Sequence, residues 1–190
     1  MEPMDQSLQP SESLQLIISV IAKTKDNIKE HTFCFLVWGW LIAGASLSFF
    51  FLHQFTDFRG YFLPFPLAVV TGITITVLHY RGKSLAAQTY MGYYLGKLWL
   101  ALGIGFIVVV LINIWEHNPP FTYTLLIAGI GTLVTGMVTR FRPLVAGGIL
   151  FLLLALFSVF VADGYKPLLQ AFAVLGGYLV PGYMLKYSKS

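Results

Sequence analysis

Six apolar runs, each long enough to cross a lipid bilayer as a helix, leave this chain few ways to fold. They are residues 33–52, 62–79, 94–115, 121–138, 143–161 and 168–185. A bilayer's hydrocarbon core is about 30 Å thick and an α-helix rises about 1.5 Å per residue, so about twenty apolar residues span it. Backbone polar groups find no water in that layer and must bond within their own segment, which selects helices. The expectation is an all-α fold: an integral membrane bundle of six transmembrane helices, paired as three hairpins, over residues 32–187. With 57% hydrophobic and only 11% charged residues among 190, an ordinary soluble domain is excluded. The short connections leave no room for a second domain.

The basic residues orient the bundle. If the runs alternate in direction, ten of the twelve Lys and Arg residues fall on one side. Lys23, Lys25 and Lys29 precede the first run, and Arg81, Lys83 and Lys97 surround the second connection. Arg140 and Arg142 lie in the fourth connection, Lys186 and Lys189 at the C-terminus, and only Arg59 and Lys166 fall opposite. Counted over connections this short, the bias places both termini in the cytoplasm. The net charge of +4 is then a matter of topology and lipid headgroups, and no nucleic-acid partner is expected. Cys34 is the only cysteine, so no internal disulfide can form. The first run starts late and is long for a cleavable signal, so it is read as an uncleaved anchor.

Ahead of that run, residues 1–10 read as a disordered N-terminus and 11–31 as an amphipathic helix. Leu14, Ile17, Ile18, Ile21 and Ile28 fall on one side at helical spacing, with Lys23, Lys25, Asp26 and Lys29 on the other. The Ser11 hydroxyl can accept from a first-turn amide and cap it. Such a helix suits either the cytoplasmic headgroup layer or a protein partner. Both readings stay open at this point.

Small residues at four-residue spacing point to close helix packing: Gly39 and Ala43, Gly44 and Ser48, Gly92 and Gly96, Ala128 with Thr132 and Gly136, Ala173 and Gly177. Such stripes also allow a homo-oligomer. Trp38, Trp40, Trp99 and Trp115 fall near the expected interfaces, where amphipathic rings collect. The second, fourth and sixth runs close alike, with Val77-Leu-His-Tyr-Arg81, Val138-Thr-Arg-Phe-Arg142 and Met184-Leu-Lys-Tyr-Ser188. That echo is either a threefold repeat of hairpins or the common way helices leave a membrane inward. In the sixth run Gly176, Gly177, Pro181 and Gly182 predict a kink, since proline removes a donor and clashes with the preceding turn. Broken helices line pockets in transporters, so these four residues are also a candidate pocket lining.

Catalytic chemistry is hard to find. No acidic or basic residue is expected deep in any span; Lys97 lies close to the inner end of the third, where its side chain can snorkel to the headgroups. Ion-coupled transport usually needs an intramembrane ionisable group, and none is evident. Thr71, Thr74, Thr76, Thr132 and Thr135 lie at mid-depth, where their hydroxyls are expected to bond back to their own helix. His53, Asp57, Glu116, His117 and Asp163 share the opposite face and offer metal-ligand types, but their spacing follows no metal motif. No nucleophile elbow, phosphate loop or aspartate pair is present. An enzyme, a bound cofactor and a resident metal are therefore not expected.

The segment Leu14–Ile42, with Lys23-x-Lys25-x-Asn27-Ile28 and Phe33-x-Phe35-Leu-x-Trp38-Gly39-Trp40-Leu41, resembles a group of small uncharacterised membrane proteins of Bacteroidota-type bacteria. The tail Gly177-Tyr-Leu-Val-Pro181-Gly-Tyr-Met-Leu185 is similar to theirs as well. The resemblance implies a helical inner-membrane protein and carries over no activity or binding residue. The leading expectation is a non-enzymatic accessory or sensing component that docks a partner or the inner leaflet through its N-terminal helix. Two others stand beside it: a small-solute transporter or membrane-embedded capture subunit, and a lipid-organising or self-associating bundle.

Overall fold

The computed structural model describes the backbone of residues 10–81 and 90–187, and the side chains of 32–81 and 92–187. Residues 1–9 of the stretch expected to be disordered, together with Lys83 and Lys189, lie outside the described residues. The fold is all-α: 86% of the described residues are helical, and none of them is in a strand. Seven α-helices follow one another among the described residues: α1 (Pro10–Phe55), α2 (Pro64–Tyr80), α3 (Tyr90–Trp115), α4 (Phe121–Val138), α5 (Arg142–Ser158), α6 (Lys166–Val174) and α7 (Val180–Tyr187). A 3₁₀ turn, Asp163–Tyr165, leads into α6, and a π-helical turn, Leu175–Leu179, joins α6 to α7.

Local sequence accounts for the boundaries. Helices α2, α5 and α6 each carry proline in the first turn, where its missing N–H costs no intrahelical bond. Helices α3 and α4 end in the same way. His117 (φ 57°) and Arg140 (φ 54°) adopt the left-handed conformation. The next residue then bonds back across the last turn: Asn118 N donates to Asn113 O at 2.9 Å, and Phe141 N to Gly136 O at 3.0 Å. Helix α5 stops at Ser158, three residues short of the end of its apolar run, where the Ser158 hydroxyl bonds the Ala155 carbonyl at 2.7 Å. A side chain that takes a backbone acceptor in this way competes with the next turn of helix.

Among the described residues four segments are long and apolar enough to cross a membrane: Thr32–Phe55, Gly92–Trp115, Phe121–Val138 and Asp163–Tyr187. Helices α2 and α5 are apolar too but have 17 residues each. The expected interfacial helix and the first apolar run are one unbroken helix, α1, of 46 residues. No turn separates them.

The closest packing is between α4 and α5. A Cβ built on Gly148 falls 2.5 Å from the Leu133 backbone, and one on Gly136 falls 2.6 Å from the Val145 backbone. One on Gly129 meets Leu152 at 2.8 Å. These pairs step in opposite directions along the two helices, which therefore run antiparallel. Glycine brings the backbones together without the side-chain entropy cost that larger residues carry. The core is centred on Tyr178, whose ring lies 5.0 Å from Phe151, 5.5 Å from Phe35 and 6.3 Å from Trp99. Helix α3 is the outlier: Gly96, Gly103 and Gly105 have nothing within 4 Å of a built Cβ, and Leu100, Ile104, Ile107 and Leu111 are exposed.

Candidate functional site

The interior of the bundle is where neutral polar groups collect. Thr32, Ser46, Asn113, Thr124, Thr132, Thr135, Ser158 and Gln170 are buried, while large apolar side chains cover the outside. That reverses the pattern of a water-soluble domain and suits an apolar solvent. Most of these groups bond locally. Thr132 donates to Ala128 O at 2.7 Å, Thr135 to Gly131 O at 2.6 Å, and Asn113 to Val109 O at 2.9 Å. Exposed Thr74 bonds back to Val70 O at 2.8 Å, as expected of a membrane threonine.

Two tryptophans make the same contact twice. Trp38 Nε1 donates to Thr76 Oγ1 at 3.2 Å across α1 and α2, and Trp99 Nε1 to Thr135 Oγ1 at 3.2 Å across α3 and α4. In each case the indole lies over a glycine one turn earlier. A Cβ on Gly72 or on Gly131 would meet the ring at 3.0 Å. Trp40 and Trp115 remain exposed, and Trp40 Nε1 donates to Tyr183 Oη at 3.2 Å. Only the latter pair sits as an interfacial belt would.

A second polar group joins α4, α5 and α6 near the ends where α4 starts and α5 stops. Ser158 Oγ lies 2.8 Å from Thr122 Oγ1, and Thr124 Oγ1 lies 3.2 Å from Gln170 Oε1. Thr124 also donates to Phe121 O at 2.9 Å. Sequence reasoning passed over Gln170, Ser46, Thr122, Thr124 and Ser158, although Gln170 is the only glutamine inside any of the six apolar runs.

The expected site residues are distributed as follows. Leu14, Ile17, Ile18, Ile21, Lys23, Lys25, Ile28 and Lys29 belong to α1 by backbone, and their side chains lie outside the described residues. Gly177 belongs to the π turn and faces Gly147 of α5. Gly176 faces Leu150, Gly182 faces Leu36 of α1, and Pro181 is buried in the first turn of α7. At the opposite face His53 stacks on Phe49 (5.8 Å, 7°) and meets Tyr61 edge-on at 5.0 Å. Asp163 pairs with Lys166 at 2.6 Å. Asp57, Glu116 and His117 are exposed, and among the described residues no three His, Cys, Asp or Glu side chains gather as a metal site would need. At the basic end Cys34 Sγ lies 3.4 Å from Tyr80 Oη, His79 stacks on Phe33 at 3.8 Å, and Lys97 lies over the Tyr93 ring at 5.4 Å.

No protein family matches the chain, and no curated protein or solved structure is similar enough to count as a match.

Proposed function

We propose that this chain is a six-span, non-enzymatic protein of a bacterial cytoplasmic membrane, both termini cytoplasmic, that docks a cytoplasmic protein through the N-terminal part of α1. In this reading α2 and α5 cross as well, because 17 residues rise about 25 Å and flanking residues and local bilayer thinning cover the remainder. The spans then pair as three hairpins. The role is that of an accessory or sensing component.

One observation carries the docking reading over the leaflet reading. Helix α1 continues through Lys29-Glu-His-Thr-Phe33 without a turn, and this stretch contains neither proline nor glycine. Sharp kinks nearly always need Pro, a Gly/Ser pair, a π-bulge or an inserted group. A helix that crosses the bilayer and does not kink cannot also lie flat in the headgroup layer. Residues 10–31 then extend about 33 Å past the apolar span. In sequence, Leu14, Ile17, Ile18, Ile21 and Ile28 recur at helical spacing along this segment, a pattern suited to docking on a protein surface.

The test uses the protein reconstituted in liposomes. An environment-sensitive fluorophore at position 21, in a Cys34→Ser background, should escape quenching by brominated lipid, whereas one at position 100 should be quenched. Equal quenching would return the helix to the leaflet and remove the reading. Deleting residues 1–30 should abolish co-purification of the cytoplasmic partner and leave membrane insertion intact.

A further inference from the structure

Ser46, Thr124 and Gln170 sit at one level of the bundle on three different helices. The Phe49 and Phe121 rings lie 5.3 Å apart, which fixes α1 against the start of α4. The Phe50 and Tyr165 rings, at 6.2 Å, fix α1 against the approach to α6. At the far end a Cβ on Gly39 would meet Leu179 at 2.7 Å, and Phe35 lies 6.1 Å from Trp99, which bonds Thr135. So α1 runs antiparallel to both α4 and α6. Moving inward, Ser46 is three residues from Phe49, Thr124 three from Phe121, and Gln170 five from Tyr165. At about 1.5 Å per residue these positions share one layer to within a few ångströms. The Thr124–Gln170 contact of 3.2 Å confirms the level for two of them.

The layer's polar groups are unevenly matched. Ser46 is 0% exposed and its Oγ has no hydrogen-bond partner. Gln170 is 6% exposed; Thr124 Oγ1 lies 3.2 Å from its amide group, and at least one amide N–H is left outside that contact. A buried hydroxyl with no partner is costly, and serine has an easy remedy in the carbonyl one turn back, which Ser46 does not use. Ala43 and Ala45 lie beside Ser46 along α1, and Ala171 and Ala173 beside Gln170 along α6; all four are buried and their side chains carry no hydrogen-bonding group. Thr32 Oγ1 is likewise unpartnered and lies at the other end of the span.

We infer that Ser46, Thr124 and Gln170 form a binding site for a small uncharged molecule that both donates and accepts hydrogen bonds, held between the Ser46 hydroxyl and the Gln170 amide. Formal charge is excluded because no ionised side chain among the described residues lies at that level to neutralise it. Water is the smallest molecule of this class, and a primary amide such as acetamide is a larger one. This inference is independent of partner docking by α1.

Thermal unfolding of the purified full-length protein in detergent separates the outcomes, because Ser46→Ala changes stability in opposite directions with and without a guest. If water occupies the site, Ser46→Ala and Gln170→Leu each lower the Tm by several degrees in buffer alone, and the double variant falls no further than the worse single one. If a larger solute is the guest, Ser46→Ala raises the Tm in buffer by removing the unpartnered hydroxyl, and acetamide raises the wild-type Tm and not that of the variant. A Tm for Ser46→Ala that is unchanged or higher in buffer, with no acetamide effect on the wild type, overturns the proposal. Thr124→Val serves as a second variant should Gln170→Leu fail to fold.

Discussion

The carbonyl oxygen of Gly177 lies 2.6 Å from the point where a side chain on Gly147 would begin. Four residues after Gly177 comes Pro181, which has no N–H to give that carbonyl. The π turn at Leu175–Leu179 moves the helical bonding on by one, with Val180 N donating to Leu175 O. The Gly177 carbonyl is thereby turned toward the bare Cα of Gly147, a contact of the Cα–H···O kind that recurs where membrane helices cross closely. Glycine at 147 and proline at 181 are two halves of one arrangement. Gly147→Ala should therefore destabilise the bundle by about 1–3 kcal/mol, as overpacking does. Gly103→Ala on α3, with nothing within 4 Å, should leave stability equal or higher. Thermal unfolding of the two variants side by side checks this, and equal losses would count against it.

The paired tryptophan contacts should behave alike. Trp38→Phe and Thr76→Val should each cost about 0.6 kcal/mol of hydrogen bonding, and so should Trp99→Phe and Thr135→Val. In a double-mutant cycle each pair should show coupling of that order, and Trp38 with Thr135 should show none. Zero coupling within both pairs would mean that ring packing over Gly72 and Gly131 holds the helices without the indole bond.

His117 holds a left-handed conformation that suits glycine better. His117→Gly should raise stability by up to about 1 kcal/mol, since the Asn118 to Asn113 bond that closes α3 does not involve the imidazole. A lower Tm would show that the imidazole has a partner of its own.

Much of this architecture was legible in the amino-acid order, and the reason is the solvent. Apolar runs 94–115 and 121–138 match α3 and α4 to within a few residues because hydrophobic length alone sets such helices. The Gly/Pro stretch of the last run was expected to break the helix, and the π turn stands there. Other features depend on neighbours and stayed hidden. Gly44 and Gly96 carry the same four-residue spacing as Gly39 and Gly136, yet nothing packs on the former pair. Spacing tells which residues are small, and only the fold tells which face a neighbour. Trp38 and Trp99 were expected at the interfacial belt but turn inward, because a glycine and a threonine one turn apart on the next helix receive ring and N–H together. Gln170 was overlooked because attention to charge misses a neutral amide, though a glutamine among leucines and alanines is itself a signal.

The proposed six-span arrangement makes its own prediction. In a Cys34→Ser background, single cysteines at Asn118 and Asp57 should react with a membrane-impermeant maleimide added outside spheroplasts, and cysteines at Arg140 and Ser188 should react only after lysis. Labelling of Asn118 and Arg140 from the same side would leave only some of the helices spanning.

A rod without a joint transmits torque. Phe35, seated against Tyr178 and Trp99, is on the same continuous helix as Leu14, six turns away. Under the proposed docking, a grip that twists or tugs the N-terminal part of that rod would turn Phe35 in its socket of rings and so reach the middle of the bundle mechanically.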